Sequence, residues 1–470
     1  MGFVIALFCF RFTRWLLIFV ICGSALYFPV ALISGVISRG ILLAVLETDT
    51  REAVSFITSL PIESIFYVLA ILVSLIFVFC MIAPLFKEVR LKGRIFIFFI
   101  PLAISSLVTV YLDKKYGYDP VIVSTAVGIK KLYREYKILD ISSLKESSWV
   151  IGGKNATEYE NYIVIIGESV RADALSLYGS PFKTTPFLDK VPKRYIKNYF
   201  SPAVNTSLSV PRILALTDEK GRVIEENNAI SLARQAGYKT FWISSQGFTG
   251  ANNRTAARIA KFSENIYFTK TFESDFALYS EIDKALSATG PKVIFIHMTG
   301  SHEDPCERLS DYSGPKHNIP KQKMLSCYLT SVSKMDQFVE QVYKKAETKG
   351  EAFSLIYTSD HGLSMKEDLT GSLVIYRDEQ FRESYIVPFI LISSTDQETK
   401  EYNIVRDGWH FIDFFAFWIG VTTNYTIDNY NIFEAESTLD PQVIGYHEKK
   451  HSVLEKKIDL DLKEYLLRFQ

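Results

Sequence analysis

Residues 162–169 read YIVIIGES, an apolar run of mostly β-branched residues that ends on a glycine and a carboxylate. A strand with one face in water alternates apolar and polar side chains, whereas an unbroken apolar run is buried on both faces, as in a parallel sheet covered by helices. The same pattern recurs at KTFWIS (239–244), KVIFIHM (292–298), FSLIYTS (353–359) and VPFILIS (387–393). Helical stretches such as AISLARQAG (229–237) and LTSVSKMDQFVEQVYKKAET (329–348) lie between several of these runs. Together they predict an α/β domain with a largely parallel central sheet over residues 161–470.

In such sheets the functional residues gather past the carboxyl ends of the strands. That rule selects Glu168 after the first run, His297 and His302 at the end of the third, and Asp360 with His361 after the fourth. Carboxylate oxygen and imidazole nitrogen are the donors that hold a divalent zinc ion. Taken singly, each residue has an ordinary structural use: Asp360 as a helix cap, His361 as a buried imidazole, Glu168 as an ion-pair partner of Arg171. Their convergence on one edge favours a metal site. The stretch AVNTSLSVPR (203–212) brings three hydroxyls, Thr206, Ser207 and Ser209, ahead of a proline. It reads either as a polar turn or as the source of a nucleophile, and an alcohol needs a base or a metal to become one. Walker-type phosphate loops do not occur.

Lys plus Arg equals Asp plus Glu at 52 each, which gives no reason to expect a nucleic-acid partner, and 48% hydrophobic with 22% charged residues excludes a disordered chain. Three apolar stretches, Trp15–Val36, Ile62–Phe86 and Ile95–Leu112, have about the 20 residues needed to cross ~30 Å of hydrocarbon. They predict an α-helical transmembrane domain over 1–112, with Arg11, Arg14 and the basic loop Lys87–Arg94 on the cytoplasmic side. The loop 37–61 and everything after Leu112 then lie outside. Residues 113–160 are expected to be a juxtamembrane linker, partly helical at KKLYREYKILD. Cys9, Cys22 and Cys80 read as small apolar residues; Cys306 and Cys327, on the oxidising side, are predicted to form a disulfide.

The segments IVIIGESVRADALSLYG, SPAVNTSLSVPRILALTDE, AGYKTFWISSQG, FIHMTGSH and YTSDHG resemble, in order and spacing, the membrane-anchored phosphoethanolamine transferases of the alkaline phosphatase and sulfatase superfamily. The short nucleophile segment is most similar to the branch that modifies the lipopolysaccharide core. The resemblance implies a transmembrane domain followed by an alkaline-phosphatase-like α/β domain, in a bacterial inner membrane with the catalytic domain in the periplasm. It implies one zinc ion, with room for a second, held by Glu168, Thr206, Asp360 and His361. Thr206 becomes the nucleophile, and His297 and His302 bind substrate or protonate the leaving group. LETDTREA (46–53) is similar to an outer-loop motif that places Thr48 and Glu52 at the lipid donor site, and Glu383 stands where members commonly carry a further histidine, a substrate-binding position. The implied partners are phosphatidylethanolamine as donor, a glycolipid such as lipopolysaccharide core or lipid A or another envelope acceptor, and membrane lipids. Rival expectations are a phosphoglycerol transferase, a sulfatase-like hydrolase and a non-enzymatic membrane scaffold. Against the sulfatase, Ile213 occupies the place of the arginine that closes its Ser-x-Pro-x-Arg motif.

Overall fold

The apolar run that opens the domain is strand β1 (Asn161–Gly167), and all of its residues are buried. Its side chains alternate between two cores. Ile163 and Ile165 pack in one cluster with Leu325, Leu329 and Phe338; Tyr162, Val164 and Ile166 pack in the other with Ile213, Ile230 and Phe415. Helices cover both faces, which is why the sequence shows no polar alternation. Each fully buried aliphatic side chain contributes roughly 1.5–3 kcal/mol relative to exposure.

This computed structural model describes residues 66–70, 72–73, 144–155, 158–246, 254–269, 274–302, 304–368 and 371–469. The chain divides into two units, 1–39 with 60–134 and 40–59 with 135–470. In the first unit, residues 66–70 and 72–73 are helical. The rest of the three expected spans, the helix expected at KKLYREYKILD, and Thr48 and Glu52 lie outside the described residues. Among the described residues no helix is long and apolar enough to cross a membrane.

The second unit is built on eight strands: β1, β2 (Arg194–Phe200), β3 (Lys239–Ser244), β4 (Asn265–Phe268), β5 (Lys292–His297), β6 (Phe353–Ser359), β7 (Ile386–Ser393) and β8 (Lys400–Asp407). Their order is β8-β2-β7-β6-β1-β5-β3-β4. All neighbours are parallel except that β7 runs antiparallel to both β2 and β6. The reversal follows from the connection. Between β6 and β7 the described chain makes a hairpin, Ser364–Glu367 with Leu373–Tyr376, and no crossover helix. A parallel return needs a crossover, so β7 starts at the edge where β6 ends. Helices α1 (Thr206–Leu214), α2 (Ala229–Gln235) and α5 (Phe411–Trp418) pack on one face, and α3 (Tyr279–Leu286) and α4 (Lys323–Glu347) on the other.

All five apolar runs are strands. Sequence reading passes over β2, β4 and β8; β4 and β8 are the sheet edges, β4 has four residues, and β8 begins with exposed Lys400 and Glu401. It also places the start of the domain too late. Residues 144–155 belong to the domain and not to a linker: Trp149 is 2% exposed and its Nε1 donates to Ser231 Oγ at 3.0 Å. Ile151–Lys154 pairs antiparallel with Val421–Thr423. A short edge ribbon beside one tryptophan leaves no periodicity for sequence reading to find.

Candidate active site

Three strand ends meet at one edge because the sheet's hydrogen bonding continues past them. Asp360 N–H donates to Gly167 O at 3.1 Å, Met298 N–H to Ile166 O at 3.0 Å and Ser301 N–H to Glu168 O at 3.0 Å. The turn after β1 places Ser169 at φ +60°, in the left-handed region that residues other than glycine seldom adopt. Asp360 Oδ1 accepts its N–H at 3.1 Å, and Tyr328 of α4 donates to its carbonyl at 3.0 Å while accepting the N–H of Arg171 at 2.9 Å. The loop after β5 lies close against this turn: a Cβ on Gly300 would stand 3.0 Å from the Glu168 nitrogen, and its φ of +52° suits glycine.

Glu168, Asp360 and His361 are fully buried, and one donor atom from each lies within 4.8 Å of the others. His361 Nε2 is 3.2 Å from Glu168 Oε1 and 3.6 Å from Asp360 Oδ2. Its Nδ1 donates to Gly362 O at 2.7 Å, which leaves Nε2 with its lone pair turned toward the carboxylates. Asp360 Oδ2 and His361 Nε2 are buried without a hydrogen-bond partner, a costly state unless something binds between them. Ligands about 2.0–2.1 Å from a tetrahedral zinc ion lie roughly 3.3 Å from one another, so the two measured separations fit such an ion.

The charges point the same way. Burial pushes Asp360 up to about 7, and the charge of Glu168 adds to the rise. Burial also acts to raise Glu168, but the neighbouring His361 imidazole, the charge of His302 and the Ser169 hydroxyl hold it well below the usual carboxylate range. His361 is raised, because Asp360 and Glu168 outweigh its burial. A divalent cation neutralises this group. Supporting contacts fix it: Ser169 Oγ donates to Glu168 Oε1 at 2.6 Å, Ser209 Oγ to Asp360 O at 2.5 Å, and Ser201 Oγ to the same carbonyl.

Thr206 is the first residue of α1, whose N-cap Asn205 accepts the Leu208 N–H at 3.0 Å. Thr206 Oγ1 donates to Glu168 Oε2 at 2.9 Å, so it touches the triad from the positive end of a helix, where an anion is stabilised. Ser209 is buried and engaged with the Asp360 carbonyl. Geometry therefore separates the hydroxyls that sequence alone leaves together.

His297, at the end of β5, is fully buried beside Trp242, and neither ring nitrogen has a hydrogen-bond partner. Burial pushes its pKa down to about 4 against the pull of Glu168, so it is neutral near pH 7. His302 closes the same loop and is 7% exposed. Asp275 pins that loop, accepting the N–H of Thr299 at 2.8 Å and of Gly300 at 3.1 Å. The Glu383 carboxylate accepts the Asp459 N–H at 2.8 Å and lies 3.5 Å from Arg382. Arg171 does not pair with Glu168 but with Asp173 at 2.6 Å and Asp459 at 3.4 Å. Cys306 and Cys327 form the expected disulfide. Sequence reading misses Gln246, whose Nε2 donates to Glu168 Oε2 and Met298 O, both at 2.9 Å. It follows the carboxyl end of β3, so the strand-end rule reaches it, but a neutral amide is not a residue that the rule's chemistry picks out.

This triad, with a hydroxyl on its carboxylate at the carboxyl edge of a mostly parallel sheet, coincides with a match to the sequence profile described as Sulfatase over residues 160–425, more than half of the chain. The chain belongs to the sulfatase family. Among curated relatives it is 29% identical over 426 residues to the phosphoethanolamine transferase OpgE of Escherichia coli (strain K12), covering 85% of this chain and 78% of that protein. It is 24% identical over 266 residues to the phosphoethanolamine transferase EptC of the same strain, covering 51% and 46%. Among solved structures it matches the integral membrane protein lipooligosaccharide phosphoethanolamine transferase A (EptA) of Neisseria meningitidis with a TM-score of 0.60 at 15% identity, over 91% of this chain and 88% of that one. It matches the C-terminal periplasmic domain of Escherichia coli EptC in complex with Zn with a TM-score of 0.55 at 19% identity, over 66% and 97%. At these identities the two structures establish the alkaline-phosphatase-like fold.

Proposed function

We propose that this protein is a zinc-dependent transferase that moves phosphoethanolamine from phosphatidylethanolamine to an envelope glycan, through a phosphoethanolamine ester on Thr206. The observation that carries the reading is the Thr206 hydroxyl 2.9 Å from Glu168 Oε2, on the carboxylate that also belongs to the buried triad. Glu168, Asp360 and His361 would hold the metal, with Thr206 beside them. Zinc bound there supplies a Lewis acid that lowers the pKa of the hydroxyl and offsets charge on the phosphoryl group.

In the first step Thr206 Oγ1 attacks phosphorus and releases its proton to solvent, since Glu168 lies well below the usual carboxylate range and is a poor base. The bond from phosphorus to the diacylglycerol oxygen breaks, and His302 protonates that oxygen. His297, neutral and buried, donates a hydrogen bond to the phosphoryl group and not a proton. In the second step an acceptor hydroxyl gives its proton to His302 and attacks the ester, and Thr206 recovers a proton from solvent.

Anchoring in the bacterial inner membrane, with the catalytic domain in the periplasm, raises the effective concentration of the donor lipid. The three apolar stretches before residue 113, the disulfide of the catalytic domain and the membrane and periplasmic descriptions of EptA and EptC support that placement. The similarity to OpgE runs over more of the chain than that to EptC, so the acceptor is taken as an envelope glycan in general.

The test is to incubate the full chain with labelled phosphatidylethanolamine and examine the tryptic peptide that contains Thr206. We expect a phosphoethanolamine adduct in the wild type and none in Thr206→Ala. An adduct that persists in Thr206→Ala, or one formed only from phosphatidylglycerol, overturns the proposal.

A further inference from the structure

Residues 439–458 cross the edge of the sheet that carries the triad, and main-chain bonds fix them there. Ile444 N–H donates to Pro202 O at 2.8 Å, a few residues before Thr206. Lys457 N–H donates to Gln380 O and its carbonyl accepts the Arg382 N–H, both at 2.9 Å, just ahead of β7. Between these ties Gln442–Ile444 pairs antiparallel with Lys450–Ser452. The segment has a core of its own, since Val443 and Val453 are buried with Phe200, Val204 and Tyr385.

Its other large aliphatic side chains turn outward. Leu439, Leu454 and Ile458 are 91%, 68% and 70% exposed, more than any other large apolar side chain among the described residues. Single exposed leucines are ordinary, but these are gathered. Val453 N–H donates to Pro441 O at 2.9 Å and Ser452 Oγ donates to Asp440, which extends the register of the hairpin. The chain at Leu439 therefore runs beside the chain at Leu454, and Ile458 follows one short turn later.

Cations frame this group. Lys449, Lys450 and Lys457 are exposed, and among the described residues none of them forms an ion pair. Lys450 lies over the Trp409 ring at 4.6 Å, and Lys457 donates to Gln380 Oε1 at 3.1 Å. Glu448 is drawn to Arg212 at 3.5 Å, so within 447–458 only Glu455 stands against the lysines. HEKKH (447–451) has the spacing of a helical zinc motif, but it forms the turn of this hairpin, with Glu448 at φ +54°, and presents no helical face.

Exposed aliphatic side chains framed by unpaired lysines suit an anionic bilayer, where the apolar groups enter the interface and the ammonium groups meet lipid phosphates. Three side chains offer far less area than the about 1,600 Å² that a stable protein pair buries, so a second protein suits them less well. We propose that residues 439–458 dock the domain on the surface of a bilayer that contains anionic phospholipid. Docking holds the edge that carries Thr206 against the headgroups. Its use in catalysis rests on the reading that the donor is a lipid, whereas the docking itself does not.

The test places the full chain in nanodiscs of phosphatidylcholine, alone or mixed with phosphatidylglycerol, and reads side-chain exposure by hydroxyl-radical footprinting. Oxidation of Leu439, Leu454 and Ile458 should fall by about fivefold or more when phosphatidylglycerol is present. Ile266 of the edge strand β4, 44% exposed, is the reference and should not change. The triple substitution Lys449→Gln, Lys450→Gln and Lys457→Gln, at exposed positions, should abolish the protection, and a Lys→Arg triple should keep it. This readout stands whether or not an adduct forms at Thr206, so its failure is distinct from failure of the transfer reading. Equal oxidation in the two bilayers, equal protection of Ile266, or protection indifferent to the lysines would each overturn the docking surface. Protection that follows protein concentration and not lipid charge would assign the three side chains to a second copy of the chain and overturn it as well.

Discussion

Ser169 holds a left-handed backbone conformation and turns its hydroxyl onto Glu168 at 2.6 Å. These two features can be separated by substitution. Glycine accepts the positive φ without strain but removes the donor that orients the carboxylate. For Ser169→Gly we expect zinc affinity to fall by about 10–100-fold, as for other supports of a metal ligand, while the thermal midpoint stays near that of the wild type. A competition titration with a zinc chelator checks this, and an unchanged affinity would show that the hydroxyl does not orient the ligand. At the same scale two hydroxyls of AVNTSLSVPR receive different uses: Thr206 reaches Glu168, whereas Ser209 holds the Asp360 carbonyl. Residue types alone make them equivalent, and only their directions distinguish them.

At the scale of elements, α1 is a helix where its sequence reads as a turn. Asn205 is its N-cap, and Pro211 lies inside the helix, so the polar and proline signals that suggest a loop mark the start and one tolerated break of a helix. The five apolar runs are legible as strands because burial on both faces is written in consecutive residues. The direction of β7 is not legible, because VPFILIS has the same composition whichever way it runs. A second capping contact offers a pH test. Asp336 of α4 accepts the N–H of Phe187 at 2.9 Å and of Leu188 at 3.0 Å, holding the short helix Pro186–Lys190. Burial pushes this carboxyl up to about 7 from an ordinary 3.8, against the two backbone hydrogen bonds. Its folded pKa lies above the unfolded one, so its contribution to stability is whole below about pH 4 and is lost as pH rises through about 7. Asp336→Asn should therefore flatten the decline in thermal midpoint across that window; a decline of unchanged slope would remove Asp336 as its source.

For the molecule as a whole, the candidate site is a meeting of strand ends, and a metal bound there would add to stability as well as to chemistry. Chelation leaves two carboxylates buried beside one imidazole with unpartnered atoms. We expect EDTA to lower the thermal midpoint and zinc to restore it, with about 2.7 kcal/mol gained when free zinc reaches 100 times its Kd. A midpoint indifferent to both treatments would remove the metal from the folded state. The family and the chemical types at the strand ends are legible in the sequence, since each lies within a few residues of an apolar run. Gln246 and the placement of Glu383 are not, because each depends on a partner from a distant segment.

What the sequence determined by itself is therefore local: which segments are buried strands, which polar residues stand at their ends, and that Glu168, Asp360 and His361 suit a metal. Side-chain periodicity reports burial, and burial is a property of neighbouring residues. What only the tertiary structure decided is who meets whom. Ser169 and Asp360 are 191 residues apart and hydrogen-bonded, β7 is reversed, and Glu383 meets Asp459 and Arg382. Those pairings are fixed by the packing of the sheet and its helices, which a linear pattern does not encode.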